Sequence, residues 1–111
     1  MAITYKDQPL EQAAAADTTI YTAASIDSAH IIAATVFNES TANVTITGNI
    51  VQSGGSVAVT NRYVSRTIPA GKPVVLTEII NHVLKNGDFI SFNAGTADAL
   101  NVKLAIKEVT S

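Results

Sequence analysis

An antiparallel β-sandwich is the fold class this chain predicts, and three observations predict it. Residues 100–107 alternate, with Leu100, Val102, Leu104 and Ile106 on one side and Asn101, Lys103 and Lys107 on the other. That period of two is the mark of a half-buried strand. Turn chemistry recurs along the chain, at Glu39 to Asn43, Ser53 to Ser56, Pro69 to Pro73, Asn86 to Asp88 and Ala94 to Thr96. Apolar runs separated by such turns every eight or so to about twelve residues read as short strands, about seven or eight of them. The length of 111 residues suits one domain with a modest core.

The elements follow in order. Residues 1–16 are polar, carry Pro9 and finish in four alanines, Ala13 to Ala16. They are expected either as a frayed end with a short helix over 10–16, or as an amino-terminal arm that orders on a neighbouring copy. The sandwich domain is expected over 17–111. Thr18 to Ala23 is a short strand. Ala29 to Asn38 is a longer one, apolar on both faces through Ile32, Ala34 and Val36 and through Ile31, Ala33 and Phe37. A strand of that kind is expected at the centre of a sheet covered on both sides. Val44, Ile46 and Ile50 face inward from the next strand, and Gly48 within it marks a bulge or a close backbone approach. Val57 to Ile68 reads as a strand bent near Asn61. In residues 77–85 the spacing of Ile79, Ile80, Val83 and Leu84 predicts a short helix, capped by Thr77 and ended by Asn86-Gly87. Phe89 to Asn93 and the alternating run from Leu100 complete the set.

Composition narrows the function. Charged residues make up 14% of the chain, against roughly 25% in an ordinary soluble domain. Depletion of charge is a property of interface cores, so the chain is expected either as a sluggishly soluble β domain or, the favoured reading, as a subunit that covers its surface in an assembly. The net charge is -2 and the seven Lys and Arg residues are scattered, which argues against nucleic acid as a partner. There is no cysteine, hence no disulfide and no thiolate metal site. The first residues lack the pattern of a signal peptide, and no apolar run approaches the roughly 20 residues of a membrane span. Synthesis in the cytoplasm and no membrane partner are the expectation.

Catalytic chemistry is not expected. His30 and His82 lie in different elements, His30 as a satisfied structural histidine and His82 on the surface, whereas a zinc site needs three or four converging ligands. No G-x-S-x-G elbow is present. The six glycines match neither a phosphate loop nor a dinucleotide fingerprint. Asp27, Asp88 and Asp98 fall in turns, where Asp commonly bonds nearby backbone. No catalytic residue, metal or cofactor is therefore assigned. The candidate partner-binding residues are Ile3, Tyr5, Pro9 and Leu10 on the arm, with Arg62, Arg66 and the Ser53 to Ser56 loop on the sandwich.

Several short runs resemble small virion proteins of tailed bacteriophages. They are Thr19-Ile20-Tyr21-Thr22-Ala23, Phe37-Asn38-Glu39-Ser40 and Ala42-Asn43-Val44-Thr45-Ile46. Arg66-Thr67-Ile68-Pro69-Ala70-Gly71, Val83-Leu84-Lys85-Asn86-Gly87-Asp88 and Asp98-Ala99-Leu100-Asn101-Val102 extend the resemblance to about Val109. It implies a jelly-roll-like sandwich without catalytic residues, acting as a virion structural protein. Capsid decoration (cement) proteins are the members it is most similar to. The implied partners are the major capsid protein and copies of the chain itself, as a dimer or trimer. The alternative is a tail or fibre module that binds a host receptor; few aromatic residues are available for such a surface.

Overall fold

The computed structural model describes residues 2–12 and 16–110, with backbone alone over 7–12. Nine strands are formed among these residues: β1 (Ala2–Gln12), β2 (Thr18–Thr22), β3 (Ser28–Asn38), β4 (Val44–Val51), β5 (Arg62–Ile68), β6 (Pro73–Val75), β7 (Val83–Lys85), β8 (Phe89–Ala94) and β9 (Leu100–Thr110). One sheet has the order β1-β9-β3-β6, with β7 also paired to β3; the other has the order β2-β8-β4-β5. Every pairing is antiparallel. Counting β6 and β7 as one interrupted strand, the chain alternates between sheets as two interleaved Greek keys do, which is the eight-stranded jelly roll. The all-β sandwich expected from the sequence is the observed fold.

The core is built by the predicted alternation. Leu100, Val102, Leu104 and Ile106 of β9 are all buried, beside Ala29, Ile31, Ala34 and Val36 of β3. From the opposite sheet come Ile20, Val44, Ile46, Val64, Ile68, Ile90 and Phe92. Gly48 shows why that position admits no side chain. A Cβ there would stand 2.6 Å from the Phe92 ring, so the glycine lets β4 approach its neighbour's core aromatic. The ladder between β4 and β5 shifts register beside it, between Gly48 and Asn49. Ile50 keeps to the core side, opposite Ile90 and packed against the core, while Val51, outside the core cluster, is buried as well.

Four expectations need correction. The helix over 77–85 does not form: residues 77–81 are turns and Val83–Lys85 is β7. Asn81 adopts a left-handed φ of 73°, a region asparagine tolerates better than most residues. Its N–H donates to the Ile31 carbonyl at 2.7 Å, and the Ile31 N–H donates to the His82 carbonyl at 3.0 Å. Bonds to β3 thus take the place of helical ones. Secondly, β3 is central but covered on one face only. A register shift between Ile31 and Ala33 leaves Ile32 and Phe37 about two-fifths exposed. Thirdly, residues 59–61 form a 3-10 turn, and the strand begins only at Arg62. Finally, the segment expected as an arm enters the sandwich: residues 2–12 pair with β9 from Ala2↔Thr110 to Gln12↔Asn101. The helix considered for 10–16 is absent from 10–12, which are strand, and its remainder falls partly on 13–15, outside the described residues.

The corrected turn makes a sharp prediction. Leu84 is fully buried whereas Val83 is 43% exposed. Leu84→Ala should cost about 2–5 kcal/mol and Val83→Ala less than about 1 kcal/mol, measured by denaturant unfolding. Equal costs would contradict the β7 geometry.

Candidate assembly surfaces

A jelly roll offers two outer sheet faces and two flanks where sheet edges end. The strand alternation that buries the core decides what each face presents. On the β2-β8-β4-β5 sheet the outward rows are hydroxyls and amides: Thr45 opposite Thr67, Thr47 opposite Ser65 and Asn93, and Asn49 and Thr19 opposite Ser91. Arg62, opposite Asn49 at the start of β5, adds a cation at the end of these rows. The 52–61 loop folds over part of this face. Asn49 Nδ2 donates to the Ala58 carbonyl at 2.8 Å and to Asn61 Oδ1 at 2.7 Å, and Asn61 Nδ2 donates to the Ser56 carbonyl at 2.9 Å. Those bonds satisfy Asn49, which is otherwise a costly buried amide.

The outer face of the β1-β9-β3-β6 sheet is different. Ile3, Tyr5, Ile32, Phe37, Val75 and Val83 all remain substantially exposed, interspersed with Lys103 and Lys107 of β9. A shallow groove of about 430 Å³ runs between Thr35, Phe37, Asn101 and Lys103. Sequence reasoning placed Phe37 in the core.

The flanks are locked by specific contacts. Along β5, Arg66 Nε donates to Glu78 Oε2 at 3.0 Å, and the Tyr63 ring meets His82 edge-on with centroids 4.9 Å apart. Both contacts tie the edge of one sheet to the turn that interrupts the other. Along β2, the Tyr21 hydroxyl donates to the Glu108 carboxylate, and Lys6 Nζ lies 5.7 Å from the Tyr21 ring centroid. Burial, then the hydrogen bond to Glu108 and its charge, push the Tyr21 phenol well above its ordinary value.

The candidate residues separate accordingly. Ile3 and Tyr5 lie on β1 with exposed side chains, and Arg62 is exposed at the start of β5. Arg66 is held in the ion pair with Glu78. Pro9 and Leu10 belong to β1, their side chains outside the described residues. Among the described residues no three His, Asp or Glu side chains converge. His30, expected to be a satisfied structural histidine, has its Nδ1 buried without a hydrogen-bond partner. His82 is half-buried against Tyr63 rather than on the open surface. Asp88 is occupied by backbone: its carboxylate accepts from the Ser53 and Lys85 N–H groups, each at 2.9 Å. Among the described residues no helix is long and apolar enough to cross a membrane.

No protein-family model matches this chain, and no curated protein matches it. Solved structures do. A chain from Bacillus endospore appendages, described as a novel family of disulfide-linked pili, is similar over 98% of this chain and 89% of its own, with a TM-score of 0.51 and 22% identity. A chain of the infectious bursal disease virus Gx strain aligns over 96% of this chain and 32% of its own, with a TM-score of 0.47 and 15% identity. The appendage likeness is one of fold.

Tyr21 yields a pH prediction. A phenol held above its ordinary value of about 10 in the folded state contributes stability that is complete below that pH and is lost as pH rises above it. Tyr21→Phe should cost about 1–3 kcal/mol near neutrality, and the gap to the parent should narrow progressively above pH 10. Unfolding curves that stay parallel from neutrality into strong alkali would contradict the Tyr21–Glu108 contact.

Proposed function

We propose that this chain is a virion structural subunit: a capsid decoration protein that binds the head shell of a tailed bacteriophage, with the major capsid protein and copies of itself as partners. The observation that carries the reading is the surface. A small jelly roll with one hydroxyl and amide face, and another bearing six large exposed apolar side chains, has the charge-poor composition of buried interface cores. Shared fold with a pilus-type appendage chain supports a role in assembly rather than catalysis. Having no cysteine, this chain would assemble through non-covalent contacts. Repeated weak contacts over a shell sum to firm attachment, which suits a small domain with limited area per contact. Its place is then the virion, after synthesis in the host cytoplasm.

Purified particles test this by mass spectrometry and imaging. Hundreds of copies distributed over the head, and binding of added protein to undecorated heads, are expected. A few copies confined to the tail would favour the receptor-binding module, and absence from particles would overturn the reading.

A further inference from the structure

We propose that two copies of this chain join through the free edge of β1, running antiparallel about a two-fold axis at Thr4. The inference deepens the assembly reading and rests on it. A sheet edge presents unpaired N–H and C=O groups that template another strand unless they are blocked. Three of the four edge regions are blocked. On β5, Arg66 carries a charge to Glu78 of the turn between β6 and β7, and Tyr63 is packed on His82. The β6 and β7 edge is broken into two strands of three residues, the first beginning with Pro73. The β2 edge has five residues, with a register shift between Thr19 and Tyr21. β1 differs: its pairing to β9 runs unbroken from Ala2 to Gln8 before the shift at Gln8/Glu11, and among the described residues its opposite edge has no neighbour.

Side chains select the register. Tyr5 lies opposite Lys107 and Ile3 opposite Val109, on the outer face, while Lys6 lies opposite the buried Ile106. A two-fold axis perpendicular to the sheet keeps the core side of both copies on the same side, so outward residues must oppose outward residues. With Thr4 on the axis, Ile3 meets Tyr5 of the second copy and Tyr5 meets its Ile3. These are two aromatic–β-branched cross-strand pairs, a favourable combination. Lys6 then faces Ala2. Moving the axis to Lys6 would oppose like charges, and moving it to Tyr5 would place Ile3 against Asp7. The paired segment, Ala2 to Lys6, is short against the roughly 20–30 residues a side of a stable interface. A concentration-dependent dimer follows, with its first sheet continuous across both copies.

The absence of cysteine makes the test clean. Directly opposed residues of antiparallel strands have Cα atoms about 4.5–5.5 Å apart, within the disulfide range. Thr4→Cys should therefore give a covalent dimer quickly under mild oxidant, with Thr19→Cys on β2 and Thr67→Cys on β5 lagging. In the parent chain Thr4→Lys should raise the dimer dissociation constant, read by light scattering, by roughly tenfold or more, with the melting curve of the dilute protein unchanged. Fastest cross-linking by Thr67→Cys or Thr19→Cys would overturn the β1 edge and leave the assembly reading standing. Cross-linking between separate Ala2→Cys and Thr110→Cys chains, without a Thr4→Cys dimer, would overturn it in favour of an exchanged strand. A parent chain that stays monomeric at every concentration overturns the inference, and if it also ignores undecorated heads the assembly reading falls with it.

Discussion

The pairing of β3 with β9 holds the rest of the molecule in place. Each is an 11-residue strand, and they lie side by side from Ser28↔Val109 to Asn38↔Leu100. That ladder fixes which side of each strand faces the opposite sheet. It thereby sets Leu100, Val102, Leu104 and Ile106 in one layer with Ile31, Ala34 and Val36. β1 attaches to the far side of β9, and β6 and β7 to the far side of β3. Because β9 is the last strand and β3 an early one, the sandwich closes only when distant parts of the chain meet, a topology that folds slowly relative to local ones.

The same ladder explains the interruption between β6 and β7. The register shift of β3 between Ile31 and Ala33 turns its backbone just where a long neighbour would need regular partners. The chain answers with a turn that bonds to Ile31 on both sides through Asn81 and His82. Its apolar residues, Leu76 and Ile79, drop into the core, and its polar ones, Glu78 and His82, reach β5. One irregularity in a central strand is thus met by the turn that locks one flank, while the opposite flank ends at β1, an 11-residue edge strand.

Legibility in the sequence followed how local each cause was. β9 could be read residue by residue because one of its faces meets water and the other the core, so polarity alternates. The bulge at Gly48 was legible too, since a glycine inside a strand has few other uses. The turn at 77–81 was not. Ile79 and Leu84 are buried for their contacts across the sandwich, and their spacing mimicked a helix by coincidence of two separate anchor points. Phe37 was misplaced because the register shift in β3 is a tertiary feature with no residue signature. Of the candidate contact residues, Ile3 and Tyr5 stood out as apolar residues in a polar segment and are exposed on an edge strand. Arg66 could not be told from a free surface charge, because its partner Glu78 is supplied by a turn of the other sheet.

Amide hydrogen exchange followed at rising protein concentration tests most directly the claim that β1 is both a strand of the sandwich and its contact edge. At low concentration β3 and β9 should be slowest, and β1 amides should alternate between protected and open along Ala2 to Gln8. At high concentration the open amides of that same segment should gain protection, while β2 and β5 stay unchanged. Uniformly fast exchange over β1 at every concentration, or new protection confined to β5 or β2, would contradict the account.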